Sequence, residues 1–242
     1  GIRQVLLRAR TLMDHHSNYL LVSNVSDASF AIGVAHARSQ KIDISDIVGL
    51  KTFVNSEFCP RFLLDDPTEE NLGFGLQGKS VYILSTSSAH YTRNELAMRN
   101  CLLASAAKEN GAEFVALVEP DLFYSAQDRG PRTRNHPQAL DFTSKVKFVG
   151  QPCSAELYAR MLKAAGVDLV MTVHNHKPEV VKEIYQNVFA GEPTGKPRYI
   201  NLDIAHIVAN YVLRSGLVRL WNYGEHVGFV APDDGAVDFV KK

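Results

Sequence analysis

The stretch SVYILSTSSAHYTRNELAMRNCLLASAAKENGAEFVALVEP, residues 80–120, decides the fold. Ser80 to Ser85 is a β-rich apolar run, suited to a strand buried on both faces. A polar turn with capping residues follows. The next segment places Leu96, Cys101, Leu102, Ala106 and Ala107 at helical spacing and stops at Gly111. EFVALVEP, from Glu113, reads as a second strand. Strand, helix, strand at this spacing is a βαβ unit, and two strands joined by a crossover of this length run parallel.

The alternation continues downstream. SAELYARMLKAAGV, from Ser154, opens on a serine and closes at Gly166, and DLVMTVHNH follows as a strand. KPEVVKEIYQNVF carries proline in its first turn and reads as a helix. Then come a short strand RYINL, a helix AHIVANYVLRSGL and a last strand GEHVGFVAP. The segment from Gly130 to Gly150 is basic, holds two prolines and lacks periodicity, as a linker or a functional loop does. The expected organisation is therefore an α/β protein with parallel sheets, divided near residue 150 into units 1–150 and 151–242. A ligand cleft is expected between them. The first 16 residues read as a helix or arm.

With 242 residues the chain holds one large domain or two small ones, at about 150 residues each. Apolar residues make up 45% and charged residues 21%, enough to bury a core and to exclude general disorder. Lys plus Arg (26) equals Asp plus Glu (26), which argues against a nucleic-acid coat or a binder of anionic membranes. Phosphate handling, if present, must be local. Cys59, Cys101 and Cys153 form neither a disulfide framework nor a zinc spacing, so a reducing, cytoplasmic setting is expected. No apolar run approaches the roughly 20 residues of a membrane span.

Four strand-end stretches offer chemistry. Ser85–Ser88 (STSS) stands where α/β sheets bind anions, although hydroxyl residues also cap helices there. Gln127, Asp128 and Arg129 combine an amide, a carboxylate and a guanidinium, a set that reads a base edge and holds phosphate, or else a plain polar loop. His174 and His176 share a face if the strand extends that far. That pair fits a zinc hydrolase site, a single histidine beside a hard metal and phosphates, or a surface pair. Asp233, Asp234 and Gly235 suit Mg²⁺-assisted phosphate binding or an Asp-Gly turn. His15, His16, His36, His136 and His206 show no metal spacing.

Together these stretches resemble the ribose-phosphate pyrophosphokinase family, the PRPP synthetases, from about Tyr19 to Lys242. LLVSNVSDASFAIGVA resembles the family's opening strand and helix. FVNSE, Phe53 to Glu57, resembles its F-x-(D/N)-G-E loop, and SVYILSTSS its V-x-I-x-Q-S-T-S strand. FYSAQDR resembles Y-A-R-Q-D-(R/K), and SAELYARMLKAAGVDLVMTVHNH resembles the helix-strand stretch that ends in D-L-H. GFVAPDDG falls where the family has V-V-S-P-D-x-G-G.

The resemblance implies two phosphoribosyltransferase-type α/β domains, the second incomplete. It implies transfer of the diphosphoryl group of ATP to ribose 5-phosphate, giving PRPP and AMP, with Mg²⁺ as cofactor. It places Asn55, Ser56 and Glu57 at the ATP of a neighbouring copy, hence a homo-oligomer. Gln127, Asp128 and Arg129 would face ATP, His176 and Asp233 would bind Mg²⁺, and Asp233, Asp234, Gly235 and Ala236 would form the pyrophosphate loop. The family's catalytic Lys and Arg loop and its ribose-5-phosphate loop would lie beyond Lys242, so no catalytic residue is expected within the 242. Departures stand at Ala126, where the family has arginine, at Ser56 and Ala236, where it has glycine, and at His174, where it has aspartate. Two other readings remain open: an inactive nucleotide-binding or regulatory homolog, and a metal-dependent hydrolase using His174 and His176.

Overall fold

The computed structural model describes residues 19–26, 28–40, 43–63, 74–130, 142–175, 177–191, 197–216, 228–231 and 236–241. Five strands form one sheet in the order β1 (Tyr19–Ser23), β4 (Ser80–Leu84), β5 (Phe114–Val118), β6 (Leu169–Val173), β7 (Tyr199–Leu202). Every neighbouring pair is parallel. Because the order is sequential, each crossover steps the same way across the sheet, and the helices of the crossovers after β4, β5 and β6 stack on one face. The helices α3 (Arg93–Glu109), α5 (Ser154–Ala164) and α6 (Pro178–Val188) lie together against Val81, Ile83, Val115, Leu117 and Val170. The other face, with Leu21, Tyr82, Leu84, Ala116 and Met171, packs on Ala31 and Ala35 of α1 (Ser29–Ala37). The whole of β4 is buried, as a strand covered on both faces requires.

The βα boundaries follow local chemistry. Thr92 caps α3 and forms a reciprocal box with Glu95, satisfying two donors that the helix cannot satisfy itself. At the far end of α5, Gly166 takes a φ of +92° and Val167 donates to the Leu162 carbonyl, a left-handed stop that a side chain would resist. A Cβ at Gly166 would also fall 2.6 Å from Lys108 Cγ. At the amino ends of the central strands, Asp168 accepts from the Val115 amide at 2.8 Å and pairs with Lys108 at 2.7 Å.

Three sequence expectations need correction. The division near residue 150 does not separate two sheets, because β5 and β6 pair directly, with Ala116 opposite Leu169. Both are short apolar runs that need a neighbour on each side, so the irregular segment between them is a crossover within one sheet; it includes the short helix α4 (Phe142–Val146). The last expected strand is not formed over its described part, Gly228 to Ala231, which pairs with no strand among the described residues. Strand propensity alone does not make a strand. The third correction is an addition. Between α2 (Ile44–Ile47) and β4, β2 (Val48–Thr52) and β3 (Phe58–Phe62) form an antiparallel hairpin that the alternation of the chain does not reveal.

Among the described residues, two more helices follow β7. They are α7 (Ala205–Arg214) and α8 (Val237–Val240). The described residues contain no helix long and apolar enough to cross a membrane.

Arg99 of α3 holds the hairpin to the sheet. Its side chain is buried, donates to the Asn24 carbonyl and the Thr52 hydroxyl, and lies 3.8 Å and 4.3 Å from the ring centroids of Tyr91 and Phe58. A guanidinium so placed satisfies its charge through two ring faces and two oxygens rather than through a carboxylate. Arg99→Ala removes all four contacts and is expected to lower the unfolding free energy by about 3 kcal/mol, read from urea denaturation. It should also raise the rate of proteolysis in the hairpin. A change of less than about 0.5 kcal/mol would show that the hairpin is held by other contacts.

Candidate functional site

The carboxyl ends of β1, β4 and β5 converge on a buried polar cluster centred on Glu119. Its Oε1 accepts from Ser85 Oγ at 2.9 Å, from Asn100 Nδ2 at 2.8 Å and from the Tyr158 hydroxyl at 3.4 Å. Oε2 accepts from the Phe123 amide at 3.0 Å. Asn24, just past β1, donates to Ser85 Oγ at 3.0 Å and to Asn100 Oδ1 at 2.9 Å. Burial pushes the Glu119 carboxyl up to about 7, with these donors pulling against that rise. Burial also lifts the Tyr158 and Tyr185 hydroxyls well above their usual range.

This cluster settles the place of Ser85 alone among Ser85–Ser88, a stretch whose sequence leaves anion binding and capping both open. Ser85, the first residue of STSS, is fully buried and gives its hydroxyl proton to Glu119, so it faces the interior rather than a ligand. Ser88 accepts from the His90 amide in a local turn, and Thr92 is the residue that caps α3.

Above the cluster the chain turns through 119–129. Tyr124 takes a φ of +60° and the Gln127 amide donates to the Tyr124 carbonyl at 2.9 Å, which brings the next residues out over the sheet. Gln127, Asp128 and Arg129 line one pocket of about 400 Å³, with Ala126, Phe148, Gln151, Pro152 and Lys177. The Gln127 carbonyl accepts from the Ala155 amide in the first turn of α5, which fixes the loop to that helix. Asp128 is buried, and its Oδ2 has no hydrogen-bond partner among the described residues. Its Oδ1 lies 3.9 Å from Arg129 Nε. The Arg129 guanidinium sits 5.7 Å from the centre of the Phe148 ring. The pocket therefore offers an aromatic face, an exposed amide, a buried acceptor and two cations, Arg129 and Lys177.

The other expected site residues stand elsewhere. Asn55, Ser56 and Glu57 occupy the tip of the β2–β3 hairpin and do not line the pocket. Phe53 and Ser56 close a turn at 2.9 Å, and the Phe53 amide donates to the Glu57 carbonyl at 2.8 Å. Ser56 has a φ of +71°, the left-handed position that glycine usually fills in such a loop, at a cost of about 1 kcal/mol for a residue with a side chain. Val54 is fully exposed at the tip and Phe53 partly so.

His174 lies beyond the end of β6 with a φ of +45°, so strand alternation does not govern where it and residue 176 point. His176, Asp233, Asp234 and Gly235 lie outside the described residues; Ala236 lies just before α8. Among the described residues no three His, Cys, Asp or Glu side chains come together as a metal-binding group. Sequence reasoning missed Phe148, Gln151, Pro152 and Lys177. The first three belong to or border the irregular segment after Arg129, whose spacing carries no motif, and Lys177 hides as the residue before a helical proline.

No protein-family model matches the chain. Curated relatives are ribose-phosphate pyrophosphokinase 1 of Streptococcus pyogenes and of Streptococcus agalactiae, each 28% identical over 178 residues. The enzyme of Streptococcus pneumoniae is 27% identical over the same length. Each match covers 74% of this chain and 45% of the relative, so the chain spans about half the length of the proteins it matches. Among solved structures, phosphoribosylpyrophosphate synthetase from Mycobacterium smegmatis superposes with a TM-score of 0.62 at 21% identity. That match covers 93% of this chain and 59% of the other and shows the shared fold.

The buried carboxylate makes stability depend on pH in a stated direction. Folded Glu119 takes up its proton near 7, whereas an unfolded glutamate does so near about 4.3. The folded state thus binds the proton more tightly. This contribution is complete below about pH 4.3 and is lost as pH rises to 7. The wild type should therefore lose about 3 kcal/mol relative to Glu119→Gln between pH 4 and pH 8 in urea denaturation. A difference that stays flat with pH would mean Glu119 ionises normally.

Proposed function

We propose that this chain, a divergent relative of the ribose-phosphate pyrophosphokinases, binds ATP as part of a protein that makes PRPP. The β,γ-diphosphoryl group of ATP would pass to the 1-hydroxyl of ribose 5-phosphate, leaving AMP. One observation carries this reading. Gln127, Asp128 and Arg129, taken from sequence as the ATP-facing set, line a single pocket at the carboxyl side of the sheet. Ligands of α/β sheets bind on that side. Transfer of this kind depends on positioning and charge neutralisation, which a pocket with fixed amide, carboxylate and guanidinium groups supplies.

In this reading Mg²⁺ is held by His176 and Asp233, and Asp233, Asp234, Gly235 and Ala236 cradle the pyrophosphate. Magnesium bound there would neutralise phosphate charge. The tip residues Asn55, Ser56 and Glu57 would serve the ATP of a neighbouring copy in a homo-oligomer. The exposure of Phe53 and Val54 beside them supports that role, since apolar side chains at a hairpin tip suit an interface. A second reading, nucleotide binding without turnover, is favoured by Ala126. It stands on the pocket wall where the family's arginine would be, so one cation of the expected set is missing.

The test is ATP- and ribose-5-phosphate-dependent formation of AMP and PRPP by the protein from the complete reading frame, with calorimetry on Mg-ATP alongside. Turnover together with binding is the expected result, and Arg129→Ala should weaken ATP binding about tenfold. Binding without turnover would select the second reading. Absence of both would defeat nucleotide recognition altogether.

A further inference from the structure

Of the four pocket residues that no motif located, Phe148 and Lys177 have complementary chemistry. Ala126 offers its wall a methyl group, with neither charge nor a π face. An arginine at that point would serve twice, as a flat cation against a base and as a phosphate ligand. Phe148 and Lys177 divide the same two properties between them.

The Phe148 ring is half-buried, and the Arg129 guanidinium lies 5.7 Å from its centre. An aromatic ring on a pocket wall is a stacking platform for a planar ligand. Lys177 stands at the start of α6, where the free amides of an 11-residue helix favour negative charge. Among the described residues no carboxylate pairs with its ammonium, although Glu179 on the same helix is taken by Lys182 at 3.8 Å. Arg129 and Lys177 against Asp128 leave the pocket lining with one net positive charge, in a chain whose formal net charge is zero.

We propose that Phe148 and Lys177 together replace the cation absent at position 126, Phe148 by stacking on the nucleobase and Lys177 by holding a phosphate oxygen. This rests on the nucleotide reading above and adds to it which side chains select the ligand. A flat base that carries phosphate satisfies both residues. A sugar phosphate lacks the ring, and a nucleoside lacks the charge.

The experiment measures binding of ATP, AMP and adenosine to the full-length protein by calorimetry, for the wild type and four variants. Phe148→Ala should weaken all three ligands about tenfold, and Phe148→Tyr should restore them, since stacking needs a ring and not a particular one. Lys177→Ala should weaken ATP about tenfold and leave adenosine unchanged, and Lys177→Arg should restore ATP. The proposal is overturned if Phe148→Ala, with wild-type circular dichroism, binds all three ligands as the wild type does. It is equally overturned if Lys177→Ala weakens adenosine as much as ATP. A wild type that binds ATP while both alanine variants are unaffected removes only the assignment of these two residues. A wild type that binds none of the three ligands removes the nucleotide reading as well.

Discussion

Everything above the sheet rests on the Glu119 carboxylate. It ends β5 inside the protein and receives hydrogen bonds from the end of β4, from α3, from α5 and from its own following loop. A buried carboxylate with unmet acceptors would be costly, so each donor is needed and each is fixed by the need. Three separate elements are thereby held to one point at the carboxyl edge of the sheet. The loop that leaves this point, residues 119–129, inherits its starting direction from the Phe123 amide bonded to Glu119. Its far end is fixed again where the Gln127 carbonyl meets α5. Held at both ends, the Gln127–Arg129 segment can present side chains at defined places without being rigid by composition.

The opposite edge has a matching device with a different balance. Asp168 is more exposed than Glu119, and it has cations beside it: Lys108 at 2.7 Å, and Arg198 at 3.7 Å. Burial dominates at Glu119 and raises its proton affinity, whereas Asp168 faces two cations. The same residue chemistry thus closes both ends of the sheet. Only the carboxyl end, where ligands bind, is built around a group whose charge is poised near neutral pH.

The strand-helix alternation was legible because burial imposes it locally. A strand buried on both faces has to be apolar throughout, and a helix against it has to stop where the chain turns back. Both signals are written in consecutive residues, as in β4 and at Gly111 and Gly166. The hairpin was not legible, because β2 and β3 are half-exposed and their sequence, VGLKT and FCPRF, carries no continuous apolar run. What holds them is Arg99, a contact across 47 residues to Thr52 that no local window contains. The resemblance of FVNSE to a known loop located the tip of the hairpin without revealing the strands on either side. For the pocket, sequence identified the three residues that lie in one motif. It missed Phe148 and Lys177, because what brings them beside Gln127 is the pairing of β5 with β6 and the packing of α5 on α6. It left Ser85 open between ligand and structure, since a hydroxyl at a strand end points to ligand or to core according to what the neighbouring elements bury beneath it.

The departures from the family pattern are easier to weigh once they are placed. Ser56 holds a left-handed conformation, at a cost of about 1 kcal/mol for a residue with a side chain. Holding that shape at that cost is expected of a segment whose geometry matters more than its side chain. Ala126 is a different kind of change. It alters no backbone requirement and removes a functional group outright, so nothing local compensates for it. In the proposed reading, compensation comes from across the pocket, from residues of the long irregular crossover and the amino end of the next helix. The strand-end part of the site is thus set by the sheet, and the part that faces it is set by the crossover and by α6.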